Sequence, residues 1–262
     1  MIAVLSATEH DFYAMPLPFV VYSWAHIGVP CIVFVPSGGN LKLELAKKYC
    51  GSYASFFEFE CEEKRIPTFS QVSRLFGAAT SLVEDDKDTV LITGDSDLCV
   101  FSDYFKGLED GQIHVVGYDL TPSEQYPMCF IAMPVHEWIN VMEINKGYQE
   151  HIAELINPIE GTNIRGEQWS YDQWFIKKKL DLSGKKINLH KRSDGTNQFA
   201  QLRADRDSWG NFNPHNIIDA HLPRPLTNEE NFNKVLELFK IKFPNDNLQW
   251  MTYYYNEYKQ LL

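Results

Sequence analysis

Two aspartates one residue apart follow an apolar stretch of the chain. Residues 90–93 read VLIT, Gly94 interrupts the run, and Asp95 and Asp97 come next. A short apolar run that ends at a turn signal is typical of a buried strand, so both carboxylates are predicted at the carboxyl end of a central strand, where α/β sheets bind ligands. Neighbouring carboxylates repel each other unless a cation lies between them, and oxygen ligands suit Mg²⁺ or Mn²⁺. The alternative is a surface turn, because Asp and Ser are common turn residues.

The segments before the acid pair alternate between strand and helix patterns. Strands are predicted at residues 1–6, 30–35, 54–59 and 90–93, and helices at 16–27, 41–49 and 68–83, the last with Thr68 as N-cap. This alternation indicates a mostly parallel sheet with helices on both faces.

The pattern changes after the acid pair. Strands at 113–116 and 128–132 are joined by a connection too short for a crossover helix, which predicts that part of the sheet is antiparallel. Later helices are predicted at 135–145, 149–155, 170–180 with Ser170 as N-cap, 228–239 and 248–262, whereas 188–225 is polar and turn-rich. We expect one domain over 1–225 and a helical extension, 226–262, packed on it.

Composition excludes several classes of protein. The 262 residues are 44% hydrophobic and carry a net charge of −11, which disfavours a nucleic-acid substrate because phosphate contacts need a basic surface. No apolar run approaches the roughly 20 residues that a membrane span needs, and the start lacks the basic residues of a secretory signal. Five cysteines show no C-x-x-C spacing, and Cys31, Cys99 and Cys129 are expected as small buried hydrophobes. A soluble protein of a reducing compartment is expected, in the cytoplasm.

The strand order and the acid pair together resemble the GT-A fold of nucleotide-sugar glycosyltransferases. Asp95-Ser96-Asp97 is similar to the D-x-D motif of that family, and the LSAT sequence of residues 5–8 ends the first strand where the family receives the base and ribose. Residues 126–133 resemble the strand near the acceptor, and 168–174 (QWSYDQW) the acidic helix start beside the transferred sugar. The chain is also similar to the small glycosyltransferase domains that large DNA viruses of algae use on capsid proteins, which implies the host cytoplasm.

The resemblance implies a Rossmann-like, mixed but mostly parallel sheet flanked by helices. It also implies metal-dependent transfer of a sugar from a UDP or GDP sugar to a hydroxyl group of a glycan or glycoprotein. Mn²⁺ or Mg²⁺ would bind Asp95 and Asp97. The expected donor-binding residues are Ser6, Ala7, Thr8, Arg74, Gly94 and Ser96.

Three further residues take roles from the same resemblance. Asp172 is the candidate base for an acceptor hydroxyl, although inverting and retaining enzymes place such residues differently. Its alternative role is that of an acid at the first turn of a helix. Residues 219–225 resemble a segment that supplies a histidine as a further metal ligand or a basic residue to the diphosphate. This implies His221 as a ligand, with His190 as the competing candidate. The alternative for Arg74 is an exposed helix charge.

Two surface features have functional and ordinary interpretations. The loop 194–209, with Arg203, Arg206 and Trp209, is expected either to order over a bound donor or to be a surface loop. The lysines at 177–179 and 185–186 predict a solvated helix face or a contact with a phosphate-bearing ligand.

Two rival functions remain at this point. A PIN-like metal-dependent nuclease also has a strand followed by acids, but it needs a further acid at the end of the first strand, and residues 1–6 contain none. A carbohydrate-binding module without catalysis would use aromatic residues such as Trp169 and Trp174 to stack on sugars.

Overall fold

The computed structural model describes residues 1–156, 170–193, 199, 203–206 and 209–262. Its strands are β1 (Ile2–Ser6), β2 (Cys31–Pro36), β3 (Ala54–Phe59), β4 (Val90–Thr93), β5 (Leu98–Val100), β6 (Ile113–Val116), β7 (Ile131–Pro134), β8 (Ile187–His190), β9 (Arg203–Ala204) and β10 (Asp219–His221). Its α-helices are α1 (Asp11–Ala14), α2 (Leu17–His26), α3 (Leu41–Cys50), α4 (Ile66–Ser73), α5 (Val135–Met142), α6 (Tyr148–Ile156), α7 (Tyr171–Leu182), α8 (Glu229–Lys242) and α9 (Gln249–Lys259).

Seven strands form a central sheet in the order β3-β2-β1-β4-β7-β6-β8. Strands β3, β2, β1 and β4 are parallel neighbours, β7 pairs antiparallel with β4 and β6, and β8 is parallel to β6. The sheet is therefore mixed and mostly parallel, as the sequence predicts. The carboxyl ends of β1 and β4 lie side by side, which brings residues after Ser6 and after Thr93 to the same edge.

Both faces of the sheet are covered by apolar side chains. Along β1, Ala3 and Leu5 pack into the core on one face, and Val4 packs into the core on the other. This alternation follows from the two-residue repeat of a strand. A strand that is buried on both faces reads as a continuous apolar run, which is why 31–35 and 90–92 were recognisable.

Several sequence-based boundaries are wrong, among them that of the helix predicted at 135–145, which ends at Met142. Thr68 is not an N-cap: it lies inside α4, which begins at Ile66 because Pro67 suits the first turn of a helix. The helix predicted to reach residue 83 ends at Ser73 and gives way to a 3₁₀ segment, Arg74–Ala79, in which Phe76 departs from helical geometry. The strand predicted at 128–132 begins only at Ile131, because β7 must keep its register with β4.

Ser170 occupies the N-cap position of α7, but its side chain caps no backbone N–H group. The predicted polar region 188–225 contains β9 and β10, which form a second, three-stranded sheet together with β5, in the order β5-β10-β9. Its strands are two or three residues long, too short for a periodicity to be recognised in the sequence. Strand β10 pairs antiparallel with β5 and parallel with β9. Strand β5 of this small sheet follows the acid pair directly, since it begins one residue after Asp97.

Helix α9 packs its aromatic face on the body of the protein, as predicted for an amphipathic tail. Tyr254 is completely buried, its ring lies 5.5 Å from that of Phe19, and its hydroxyl donates to the carbonyl of Ala14 at 3.0 Å. Tyr258 donates to Asp11 Oδ1 at 2.9 Å. The last helix is therefore joined to α1 and α2 by rings and by hydrogen bonds.

Among the described residues, no helix has both the length and the apolar composition for crossing a membrane. Cys31, Cys99 and Cys129 are free and buried, which confirms the prediction that they act as small hydrophobes.

Replacing Tyr254 with alanine should destabilise the fold. The change empties a fully buried aromatic site and removes the partner of the Ala14 carbonyl, so we expect the free energy of unfolding to fall by about 3–5 kcal/mol. Urea denaturation measures this change in the free energy of unfolding. Tyr253→Ala is the matched control, because Tyr253 is 60% exposed and its removal should change the free energy by at most about 0.5 kcal/mol. Equal effects of the two substitutions would contradict the packing of α9.

Candidate metal and donor site

The end of β4 is fixed by close contacts with its neighbours. The hydroxyl of Thr93 accepts a hydrogen bond from the backbone of Ile131 at 2.9 Å, and the backbone N–H of Gly94 donates to Val4 at 2.9 Å. A Cβ atom at Gly94 would lie 2.7 Å from Leu5 Cδ2, closer than two carbon atoms can approach. A larger residue here would force the buried side chain of Leu5 to move, so the close contact with β1 favours glycine before the two aspartates.

Asp95, Asp97 and His221 converge at this edge. Each offers one ligand atom such that all three atoms lie within 4.8 Å of one another. The Nε2 atom of His221 is 3.6 Å from Asp95 Oδ2. Strand β10 delivers His221 from the small sheet, and the turn after β4 delivers the two aspartates. Two carboxylates and an imidazole suit Mn²⁺ chemically, and the carboxylates also suit Mg²⁺.

Arg74 lies between two carboxylates. Its Nη1 atom bonds Asp95 Oδ1, and its Nη2 atom donates to Asp172 Oδ2 at 2.8 Å. Nη1 also donates to the carbonyl of Gly94 at 3.0 Å. The residue is buried, so the alternative of an exposed helix charge is wrong for Arg74. The 3₁₀ segment after α4 turns this side chain towards the sheet edge.

The two carboxylates that Arg74 joins differ in pKa. Burial opposes ionisation of Asp95, but the positive charge of Arg74 and the nearby imidazole of His221 hold the pKa of that carboxyl well below its ordinary value. Burial raises the pKa of Asp172 to about 6, an effect that the nearby Asp95 charge increases and the Arg74 charge reduces. The Asp172 side chain is only 2% exposed, and it faces Arg74 rather than water. Its place at the first turn of α7 is as predicted.

Asp97 is held by two other arginines. Its Oδ2 atom accepts from Arg206 Nη2 at 2.6 Å and from Arg224 Nη2 at 2.7 Å. Arg224 also lies over two aromatic rings, 4.9 Å from the centroid of Phe12 and 5.1 Å from that of Tyr13. Both acids are thus paired with guanidinium groups, and although the Asp95 side chain is 30% exposed, that of Asp97 is only 4% exposed, which argues against a simple surface turn.

His221 is oriented from both of its sides. Its Nδ1 atom is 2.8 Å from Asp205 Oδ1, and its backbone carbonyl accepts from Trp209 Nε1 at 2.7 Å. Burial disfavours the charged imidazolium, but the hydrogen bond with Asp205 and the nearby carboxylate of Asp95 outweigh this effect and raise the pKa of His221. With Nδ1 directed at Asp205, the Nε2 atom is the one that faces the acid pair.

A fully buried carboxylate anchors the strand that carries His221. Asp219, at the start of β10, accepts from Arg192 through Oδ1 and from Arg203 Nη2 at 2.8 Å through Oδ2. Arg203 belongs to β9, so the same ion pairs fix β9 and β10 together. Asp205 and Arg206 follow β9 directly, so the backbone that carries both residues is held in place by these ion pairs.

The predicted donor-binding residues lie at the adjoining edge. Ser6, Ala7 and Thr8 are buried where β1 ends, and Ala7 donates to the carbonyl of Phe34 at 3.0 Å. Ser96 is also buried, between the two aspartates. The structure brings these residues beside the acid pair, because β1 and β4 are adjacent and parallel.

His190 does not join the cluster. It pairs with His114 across β6 and β8, with 2.9 Å between His114 Nδ1 and His190 Nε2, and its place among the candidate ligands is not supported. Of the loop 194–209, residues 194–198, 200–202 and 207–208 lie outside the described part of the chain, as does Trp169. Lys177, Lys179 and Lys185 bond acidic side chains, which is the ordinary surface interpretation of the lysine runs.

Sequence reasoning missed two roles at the site. Asp205 was not singled out, and Arg206 was named only as part of a loop. The available signal is the spacing Arg203-Ala204-Asp205-Arg206, three charged residues in four. In a strand alternate residues share a face, but a two-residue strand gives no periodicity from which their partners follow.

Glycosyltransferases are among the solved structures to which the chain is similar. An active-site mutant of LgtC matches with a TM-score of 0.50 and 12% identity, over 95% of this chain and 99% of that one. The galactosyltransferase LgtC in complex with donor and acceptor sugar analogues matches with a TM-score of 0.48 and 12% identity over the same shares. A glycosyltransferase involved in the glycosylation of the major capsid of PBCV-1 matches with a TM-score of 0.44 and 12% identity, over 91% of this chain and 99% of that one.

No family model and no curated protein matches the chain. The match to the LgtC mutant shows that the chain has that fold, a mixed, mostly parallel sheet flanked by helices, and this confirms the predicted fold class.

Replacing Arg74 with methionine should destabilise the protein in a pH-dependent manner. The buried carboxylate of Asp172 and the partly exposed carboxylate of Asp95 would lose their shared partner, and we expect the free energy of unfolding at pH 8 to fall by about 3–5 kcal/mol. The loss should be smaller at pH 5, because protonation of Asp172, whose pKa is already raised, then relieves its repulsion from Asp95 in the folded variant. As pH rises through that pKa, Asp172 ionises and the stability of the variant falls. Denaturation in the presence of chelator at pH 5 and pH 8 measures the free energy of unfolding of the variant and of the wild-type protein.

Lys64→Met is the matched control for this prediction. Lys64 is 70% exposed, and its removal should change stability little at either pH. A pH-independent loss in Arg74→Met would show that Arg74 acts through packing alone.

Proposed function

We propose that the protein is a metal-dependent glycosyltransferase that moves a sugar from a nucleoside-diphosphate sugar to an acceptor hydroxyl group. The observation that carries the proposal is the convergence of Asp95, Asp97 and His221 at the carboxyl end of the central strands. The fold shared with the LgtC mutant supports a glycosyltransferase over other metal-dependent enzymes. The proposed donor is a UDP or GDP sugar, and the proposed acceptor is a glycan or glycoprotein.

Asp95, Asp97 and His221 are the proposed ligands of Mn²⁺ or Mg²⁺. A divalent cation at this point supplies Lewis-acid stabilisation of a leaving diphosphate. The hydrogen bond from His221 Nδ1 to Asp205 supports the role, since metal-binding imidazoles commonly donate their other ring N–H group to a carboxylate. Arg224 is the proposed further contact of the diphosphate.

The nucleoside and the sugar are proposed to lie along the same edge. Ser6, Ala7 and Thr8 would line the nucleoside, because the end of β1 is the position next to the acid pair. Gly94 and Ser96 would contact the donor through the turn that carries the aspartates. Arg74 would support the metal site by holding the Asp95 carboxyl group in its ionised form.

Asp172 is the proposed base for the transfer. The bond between the anomeric carbon and the diphosphate oxygen breaks, a bond from the acceptor oxygen to that carbon forms, and the hydroxyl proton passes to the Asp172 carboxylate. A pKa of about 6 leaves this carboxylate mostly ionised at neutral pH, yet basic enough to take a proton. Positive charge on Arg74, 2.8 Å away, fixes its orientation.

The nuclease alternative is disfavoured by the residues at the end of β1. The position that would require an acid carries Ser6, Ala7 and Thr8, and the net charge of −11 opposes binding of a polynucleotide. A binding module without catalysis would stack sugars on an aromatic face such as that of Trp174, which is 43% exposed. Turnover of a sugar nucleotide distinguishes the proposed enzyme from both.

Mn²⁺ together with the correct nucleoside diphosphate should raise the melting temperature. A ligand of the native state at roughly 100 times its Kd stabilises by about 2.7 kcal/mol. A thermal-shift panel of UDP, GDP and their sugars, each with Mn²⁺ or with chelator, identifies the donor. Asp97→Asn should abolish the shift and lower sugar-nucleotide turnover by about 100-fold or more. Asp103→Asn, an exposed acid six residues later, is the control. Unchanged activity in chelator would contradict the proposal.

Replacing Asp172 with asparagine should separate transfer from donor binding. The amide of asparagine cannot take the proton from the hydroxyl group of the acceptor, so we expect the rate of transfer to fall by about 10²–10⁴-fold. The affinity for Mn²⁺ and the nucleoside diphosphate should change little. Kinetics and calorimetry measure the two quantities. Asp181→Asn, an exposed change on the same helix, is the control. An equal fall in transfer and in binding would assign Asp172 a structural role.

A further inference from the structure

Two guanidinium groups share one oxygen atom of Asp97. Arg206 Nη2 and Arg224 Nη2 both donate to Oδ2, at 2.6 and 2.7 Å, and Arg206 Nε is 3.3 Å from the same atom. The Asp97 side chain is 4% exposed. Within the described part of the chain, the buried Nε atom of Arg224 has no hydrogen-bond partner. The arrangement therefore has more N–H donors than acceptor oxygens.

The arginines around the acid pair differ in how firmly they are held. Arg74 is 9% exposed and bonds two carboxylates, and Arg224 is 23% exposed and lies over the rings of Phe12 and Tyr13. Arg206 is 37% exposed, the highest value of the three. It is therefore the guanidinium group that can leave Asp97 with the least disturbance of its surroundings.

The charges at the site favour such a movement. The carboxylates of Asp95, Asp97, Asp172 and Asp205 are balanced, to within one charge, by the guanidinium groups of Arg74, Arg206 and Arg224. A divalent cation on Asp97 would meet the Arg206 and Arg224 charges at close range, which opposes binding of the cation alone. A diphosphate carries a negative charge on each phosphate and several acceptor oxygens, so it removes that repulsion and provides partners for guanidinium N–H groups.

We propose that Arg206 is an exchangeable counter-ion, which pairs with Asp97 when no cation is bound and with the diphosphate when a cation occupies Asp97. The inference rests on the proposed function and adds to it a coupling between the binding of the cation and the binding of the diphosphate. Arg206 opposes binding of the cation alone and favours binding of the cation together with a nucleoside diphosphate. Binding of the two ligands is then coupled through one side chain.

The test is the affinity of Arg206→Gln for Mn²⁺ alone and for UDP or GDP in the presence of Mn²⁺. We expect opposite changes: about tenfold tighter Mn²⁺ binding, measured by electron paramagnetic resonance, and about tenfold weaker nucleotide binding, measured by calorimetry. Each change corresponds to roughly 1.4 kcal/mol, the size of a charge-assisted hydrogen bond. Arg206→Lys, which keeps the charge, should return both affinities towards the wild-type values.

The control is Lys234→Gln, which removes the same charge from an exposed position where Lys234 pairs with Glu230. It should change neither affinity. If Arg206→Gln weakens both affinities, Arg206 merely supports the site, and if it changes neither, Arg206 takes no part in binding; both results overturn the inference and leave the proposed function intact. A wild-type protein that binds neither Mn²⁺ nor a nucleoside diphosphate overturns the proposed function as well.

Discussion

The guanidinium group of Arg74 is the constraint on which the candidate site depends. It joins the turn after β4 to the first turn of α7, because it contacts Asp95 and Asp172 at once and also the carbonyl of Gly94. Without a cation between them, two carboxylates in this buried environment would repel each other. The position of α7 relative to the sheet edge is therefore set by charge as well as by packing of Ile176 and Leu180 into the core.

The acid pair and the first four strands of the sheet could be predicted because their signals are local. Residues 90–93 are apolar throughout and end at a glycine, and β2 is likewise a continuous apolar run that ends at Pro36. The type of a buried strand is visible in its own residues, and the parallel order follows from alternation with helices. Local signals also located α9, of whose tyrosines Tyr254, Tyr255 and Tyr258 are buried against the body of the protein.

The surroundings of the acid pair could not be predicted in this way. The partners of Asp97 lie 109 and 127 residues further along the chain, and no local pattern near Arg206 or Arg224 predicts that they pair with this aspartate. The 3₁₀ segment after α4 was equally hidden, because it packs closely on a distant strand: a Cβ atom at Gly77 would lie 2.8 Å from Val4 of β1. Contacts between distant segments decide both features, and a local pattern does not encode them.

The pairing of β5 with β10 has a consequence for how the protein is made. Leu98 is the partner of His221 in that pair, and the two residues are separated by almost half of the chain. A ribosome therefore exposes the aspartates long before it releases the imidazole and the Arg224 guanidinium that accompany them. During that interval the nascent chain carries two carboxylates that lack most of their counter-charges, and the site assembles only when the late strand is added.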